Sequence, residues 1–177
     1  MNAFETLGLP VGLVVSEEEI REAFRKNAVA VHPDSGGDAG EFAALQLAQE
    51  ILLSPAKRLK DWLSAEGAEV DTRGQIDAGL MDLFQKVAEV GSVAEATIKT
   101  RETASSALAK AMAEVALMAQ REKVRDLLAA VEMEINVRVS RFPEIENAIS
   151  NAGVVMRDLV FLEKWRGTLK SIYGRLM

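Results

Sequence analysis

The stretch SEEEIREAFRKNAVAVHPDSGGD, residues 16–38, decides the fold of the N-terminal region. Ser16 followed by Glu19 forms a capping box, which predicts a helix starting at residue 17, and the glutamates of its first turn suit the helix dipole. Apolar side chains then recur at helical spacing as far as Val31. Because Pro33 disfavours helical geometry in the residue before it, the helix is predicted to end at His32 and a polar loop to follow.

Two more helices are predicted after this loop. The first runs from about Ala39 to Leu53, with large apolar residues on one face. Ser54 and Pro55 then supply a cap and a first-turn proline for a short helix that carries Trp62. Residues 1–63 are therefore interpreted as one small helical unit, built around an antiparallel pair with an exposed polar loop at its tip. Asn27 falls on the inner face of the first helix, where its amide would need a partner.

The rest of the chain is predicted to be a linker and a helical bundle. Residues 64–75 hold glycines and polar residues but few large apolar groups, which is typical of a linker. Residues 76–177 carry narrow apolar stripes at helical spacing, which favours an antiparallel three-helix bundle. No useful β alternation occurs, so the fold class is predicted to be all-α. No glycine or proline lies between Ser92 and Phe142, so the place of a turn there is not readable. One of the stripes expected to face the core comprises Leu108, Ala111, Met112, Val115 and Met118.

Composition excludes several kinds of function. The 177 residues include no cysteine and one histidine, which rules out disulfides, thiol catalysis and multi-histidine metal sites in this chain. A formal net charge of −6 argues against general nucleic-acid binding, because phosphates require a basic surface. No apolar run approaches the roughly 20 residues of a membrane-spanning helix. The apolar patch at residues 9–15 lacks a preceding basic segment, so it is not interpreted as a signal peptide. A soluble, cytoplasmic protein with no membrane partner is expected.

The tripeptide His32-Pro33-Asp34 gives the first resemblance to a known family. It lies between two predicted antiparallel helices, follows a helix with basic residues and precedes the segment Pro55-Ala56-Lys57-Arg58. This order resembles the J-domain, which uses the loop to stimulate ATP hydrolysis by DnaK-class heat-shock chaperones. The resemblance implies that His32, Pro33 and Asp34 bind such a chaperone. It also implies a flanking role for Arg21, Arg25 and Lys26, for which a solvated helix face is the ordinary alternative.

A second resemblance extends to most of the chain. The segment Leu7-Gly8-Leu9-Pro10 with its spacing to Ser16, the segment FLEKWR at residues 161–166, and the total length are similar to the HscB family. HscB proteins are J-type co-chaperones of iron–sulfur cluster assembly. The resemblance implies an HscA-class chaperone as one partner and an IscU-class scaffold held by the C-terminal bundle. It assigns scaffold binding to Leu80, Met81, Phe84 and Phe161, although core packing is the ordinary role of such side chains.

Two other functions remain open at this point. The chain could be a J-protein with an unrelated client, or a helical adaptor whose J-like unit no longer stimulates ATP hydrolysis. An enzyme is not expected, because the sequence shows no glycine-rich phosphate loop, no paired carboxylates and no nucleophile with a base. No cofactor or metal is expected either.

Overall fold

The computed structural model describes residues 2–32 and 36–177, and within these ranges the fold is all-α, as predicted. Loops connect the helices, the longest of them at residues 66–77, and a 3₁₀ turn at Ile149–Asn151 precedes the last helix. The helices are α1 (Ala3–Leu7), α2 (Glu17–Val31), α3 (Ala39–Leu53), α4 (Pro55–Ala65), α5 (Ala78–Thr103), α6 (Ala107–Val139), α7 (Phe142–Asn147) and α8 (Ala152–Arg175).

The structure agrees with the predicted bounds of α2 and α3 and with the predicted start of α4, and local capping chemistry is the reason. The Ser16 hydroxyl accepts a hydrogen bond from the Glu19 amide at 3.2 Å, and the Glu19 carboxylate accepts one from the Ser16 amide at 2.8 Å. His32 leaves the helix in extended geometry, with φ −65° and ψ 130°. Pro55 occupies the first turn of α4, after the cap residue Ser54.

The chain forms two compact units that differ from the predicted boundaries. The first unit contains residues 1–73 together with 138–159, and the second contains 74–137 together with 160–177. Residues 138–159 were predicted to belong to the C-terminal bundle, yet they pack with the N-terminal helices. The reason is visible at Phe142, whose ring lies 5.7 Å from the guanidinium carbon of Arg58.

In the first unit, hydrogen bonds from polar side chains hold the start of α1 and the inner face of α2. Helix α1 was not predicted, and it begins with a capping box between Asn2 and Glu5. The Asn27 amide donates to the Leu7 carbonyl oxygen at 2.9 Å, so the polar side chain on the inner face of α2 has its partner. The unit's core is apolar and includes Phe4, Leu7, Leu13, Ile20, Leu52, Leu59, Trp62, Phe142 and Ile145.

Residues 64–73 of the predicted linker belong to the first unit, where they pack against the start of α8. A Cβ atom at Gly153 would lie 2.2 Å from the Asp71 carbonyl oxygen, so only glycine allows this approach. Arg157 donates to the Arg73 carbonyl oxygen at 3.2 Å. The predicted third helix of the bundle is also interrupted. Ala148, with φ −152° and ψ 114°, separates α7 from α8.

The second unit is a bundle in which α6 runs antiparallel to α5 and to α8. Ion pairs mark the alignment: Arg101 with Glu114 at 2.7 Å between α5 and α6, and Lys170 with Glu132 at 3.4 Å between α8 and α6. The turn that the sequence did not reveal lies between α5 and α6. There the Ser106 hydroxyl accepts a hydrogen bond from the Ala109 amide at 3.1 Å and so caps the start of α6.

The predicted core stripe at the start of α6 is wrong. Leu108, Met112, Val115 and Met118 are 63–73% exposed. The face that α6 buries instead consists of Ala113, Leu117, Gln120 and Val124, followed by Val131 and Ile135. This face contains small and polar residues, so its apolar pattern is weak in the sequence. The stripe of larger apolar side chains was therefore taken as the buried face.

Candidate functional site

His32, the residue that follows α2, contacts α3 through its ring. The His32 ring meets Phe42 edge-on, with ring centroids 5.0 Å apart and an interplanar angle of 73°. Phe42 also contacts Phe24, at 6.2 Å between centroids. His32 is therefore half-buried rather than fully exposed as expected, and α3 limits the orientation of its ring. Pro33 and Asp34, the other two residues of the predicted motif, lie outside the described residues.

Two glycines, Gly36 and Gly37, lead into α3. The Gly37 amide donates to the His32 carbonyl oxygen at 3.0 Å. A Cβ atom at Gly37 would lie 2.2 Å from the carbonyl carbon of Val31, so no other residue fits without moving the backbone. Gly36 has a φ of +81°, a conformation that favours glycine. The geometry around His32 thus depends on the pair Gly36 and Gly37.

The cations of α2 are exposed, but two of them pair with carboxylates of the same helix. Arg21 lies 3.1 Å from Glu17, and Arg25 lies 3.1 Å from Glu18. Helix α2 carries three cations against four glutamates, a net charge of −1. The positive charge expected beside the loop is therefore largely neutralised by glutamates of the same helix.

Lys26 lies on a different flank of α2. It lines a cleft of about 510 Å³ together with Glu19, Glu22 and Asn27. Hydrogen bonds from the side chain and backbone of Ser16 hold the pKa of Glu19 below its usual value. Glu19 is consequently ionised at neutral pH, and Lys26 stands in an acidic setting.

The second unit carries an apolar groove between α5 and α8. Its volume is about 830 Å³, and its aromatic wall is formed by Phe84, Phe161 and Trp165. The Phe84 and Trp165 rings are 5.6 Å apart, and the Phe161 and Trp165 rings are 6.3 Å apart. Gly91 and Gly167 also line the groove, where the lack of side chains leaves room for a partner's side chains.

The four residues assigned to scaffold binding divide between this groove and the core. Phe84 and Phe161 line the groove, and the side chains of Met81 and Phe84 are 41% and 43% exposed. Leu80 is only 1% exposed, so its side chain packs in the core of the bundle. Trp165 is 6% exposed, and its ring contacts both phenylalanines.

Among residues 2–32 and 36–177, no group of three or more acidic or histidine side chains could hold a metal ion. No helix in the described part of the chain is long and apolar enough to cross a bilayer.

Comparison with known sequences assigns the N-terminal third to a family. The DnaJ domain profile matches residues 2–60. Over 55 residues the chain is 44% identical to chaperone protein dnaJ A6 of Oryza sativa subsp. japonica, covering 31% of this chain and 13% of that protein. Over 86 residues it is 35% identical to human DnaJ homolog subfamily A member 2, covering 48% of this chain and 20% of that protein. The chain therefore spans a fifth or less of these relatives.

Comparison with solved structures covers the whole chain. Chaperone HscB from Vibrio cholerae matches over 100% of both chains, with a TM-score of 0.58 and 21% sequence identity. At this identity the likeness concerns the fold. The predicted J-domain and the HscB-like all-α fold are both confirmed.

Proposed function

We infer, from the premise that residues 2–60 are a DnaJ domain, that this chain is a co-chaperone that stimulates ATP hydrolysis by a DnaK- or HscA-class chaperone. The observation that carries the inference is the match of residues 2–60 to that family, with His32 at the end of α2 in the loop that precedes α3. In this proposal His32, Pro33 and Asp34 bind the chaperone. Arg21, Arg25 and Lys26 flank them on α2, and the chain itself catalyses no reaction.

The cations of α2 give a testable part of this proposal. Arg25→Ala combined with Lys26→Ala is expected to slow association with the chaperone, because exposed cations steer an acidic partner. The expected effect is modest, about 0.2–1 kcal/mol for each contact, because solvent screens exposed pairs and Arg25 already pairs with Glu18. Surface plasmon resonance across a salt series measures the association rate.

A matched control separates a local patch from the field of the whole domain. Lys57→Ala combined with Lys60→Ala removes the same two charges from exposed positions on α4. If both double variants associate equally slowly, net charge alone explains the effect. If the α2 variant associates at the wild-type rate in low salt, its cations are an ordinary solvated face.

We further propose that the groove between α5 and α8 holds a client, in the first instance an IscU-class iron–sulfur scaffold. Exposed apolar side chains at Met81 and Phe84 and the half-buried Phe161 support a protein partner rather than a small polar ligand. A chaperone-binding loop and a client groove on one chain would raise the effective concentration of client at the chaperone. A cytoplasmic location is part of this proposal.

Affinity capture from a cytosolic extract, analysed by mass spectrometry, tests the client assignment. The wild-type chain is expected to retain both a DnaK-class chaperone and a scaffold protein. Met81→Glu combined with Phe84→Glu is expected to lose the scaffold and keep the chaperone, because a buried charge without a partner is costly. Met133→Glu, at a side chain 65% exposed on α6, is the control. Recovery of the chaperone with a different client would favour the J-protein with an unrelated client.

One observation favours a second candidate function, the helical adaptor. The contacts of Arg21 with Glu17 and of Arg25 with Glu18 neutralise cations that would otherwise face a chaperone. An adaptor of this kind would still hold a client in its groove. It differs from the co-chaperone in leaving the rate of ATP hydrolysis unchanged.

A further inference from the structure

The backbone just before α2 is held by two residues that are distant from it in sequence. The Arg58 guanidinium, from α4, donates to the carbonyl oxygens of Leu13 and Val15. Oε1 of Glu146, from α7, accepts hydrogen bonds from the amides of Leu13 and of Val14, the second at 3.4 Å. The side chain of Leu13 is 1% exposed, so this residue is fixed through its amide, its carbonyl and its side chain.

Glu146 belongs to the first unit but lies outside the DnaJ domain match. The match ends at residue 60, whereas α7 begins at Phe142. Phe142 and Ile145 are 1% and 2% exposed, and they anchor α7 in the core of the unit. Glu146 itself is exposed and fills no space in this core. Its contribution is therefore made through the two hydrogen bonds to the backbone before α2.

The held residues lead directly into α2. Ser16 follows them and caps the helix, and His32 follows the last residue of the helix. The helix has 15 residues, so its two ends are about 22 Å apart. Over this length a tilt of about 10° at the start of α2 moves the far end by about 4 Å. Contacts at the start of α2 therefore bear directly on the place of His32.

One oxygen of Glu146 accepts both hydrogen bonds, and this defines what a substitute has to supply. Space around the oxygen is limited, since a Cβ atom at Gly12 would lie 3.3 Å from it. The glutamine side chain has the same length and carries one carbonyl oxygen, so it can accept both bonds without a charge. Alanine carries no acceptor and leaves the Leu13 and Val14 amides without this partner.

We propose that Glu146 is a positioning residue for the stimulation of ATP hydrolysis. It fixes the backbone at Leu13 and Val14, and so the direction in which α2 presents His32 to the chaperone. This inference rests on the proposed function and extends it to α7, a helix beyond the DnaJ domain match. It requires that stimulation depend on the acceptor oxygen at residue 146 and not on the negative charge.

Single-turnover ATP hydrolysis by a DnaK-class chaperone, titrated with full-length variants, tests this role. Glu146→Ala is expected to raise the concentration for half-maximal stimulation by about 3- to 10-fold, the factor that one net hydrogen bond contributes. Glu146→Gln should stimulate as the wild type does. Glu144→Ala, which removes the same charge from an exposed position of α7, is the matched control and should also behave as the wild type.

Hydrogen exchange of the free chain, followed by NMR, tests the same role without a chaperone. In Glu146→Ala the Leu13 and Val14 amides are expected to exchange about tenfold faster, because each loses an acceptor. Glu146→Gln should restore their protection. The amide of Leu52, a residue of the core with no exposed surface, should exchange as in the wild type. An equal acceleration at Leu52 shows a general loss of stability and overturns the positioning role.

The two measurements separate this role from the proposed function. If the wild type stimulates the chaperone and Glu146→Ala stimulates equally well, the positioning role is wrong and the proposed function stands. If Glu146→Gln loses as much stimulation as Glu146→Ala, the charge is what matters, and the role is again wrong. Unchanged exchange at Leu13 and Val14 overturns it whatever the chaperone does. A wild type that leaves hydrolysis at the basal rate contradicts the proposed function and this role together.

Discussion

His32→Gln is expected to abolish stimulation of ATP hydrolysis while leaving the fold intact. The proposed role of His32 is contact with the chaperone, so the variant should give the hydrolysis rate of the chaperone alone. Its edge-on contact with Phe42 is worth about 0.5–1.5 kcal/mol, so its loss should lower the stability of the fold without abolishing it. Single-turnover ATP hydrolysis measures the first effect, and thermal unfolding followed by circular dichroism measures the second. Full stimulation by the variant would remove His32 from the mechanism.

Arg58→Ala is expected to cause the largest loss of stability. Arg58 is buried, and its guanidinium donates to the carbonyl oxygens of Leu13 at 3.1 Å and Val15 at 2.6 Å while lying over the Phe142 ring. Two hydrogen bonds from a charged donor contribute about 1.5–3 kcal/mol each, so unfolding of the first unit should become easier by about 3 kcal/mol or more. The loop at residues 10–15 leads directly into α2. Loosening this loop should therefore also reduce stimulation of ATP hydrolysis by the chaperone.

The two tryptophans allow this loss to be measured in one unit at a time. Trp62 lies in the first unit and Trp165 in the second. In a Trp165→Phe background, urea unfolding followed by fluorescence therefore reports on Trp62 alone. Lys57→Ala, an exposed neighbour that pairs with Glu50, is the control and should cost less than about 1 kcal/mol. Equal midpoints for the Arg58 and Lys57 variants would show that the buried arginine is not what holds this loop.

Local chemistry made the N-terminal helices predictable. Ser16 with Glu19, Pro33 and Pro55 each act within a few residues. They place both ends of α2, the end of α3 and the start of α4. Two signals of the same type were present but not recognised. Asn2 with Glu5 caps α1, and Ser106 caps α6.

Long-range packing was not readable in the same way. Arg58 and Glu146 have the sequence character of surface residues, yet Arg58 is buried and Glu146 accepts hydrogen bonds from the Leu13 and Val14 amides. These contacts join residues 138–159 to the N-terminal helices, and no periodicity in the sequence encodes them. The exposed residues Leu108, Met112, Val115 and Met118 were assigned to the core for a related reason. In this segment α6 buries Ala113 and Gln120 beside Leu117, which make a weaker apolar stripe in the sequence.

Of the candidate site, the sequence predicted the motif but not its environment. The tripeptide at residues 32–34 identified the J-domain, which the family match confirms. The contact of His32 with Phe42 depends on how α2 and α3 pack, and the pairing of Arg25 with Glu18 depends on side-chain rotamers over two helical turns. The groove between α5 and α8 required the alignment of two helices that are about 80 residues apart in sequence.

The central claim is that this chain activates a chaperone ATPase. The most direct test is single-turnover hydrolysis of ATP by a DnaK-class chaperone, titrated with the wild-type chain. The rate of hydrolysis should rise with co-chaperone concentration and saturate as the chaperone becomes fully bound. A rate that stays at the basal value while surface plasmon resonance shows the two proteins bound would contradict the claim and leave the adaptor as the function.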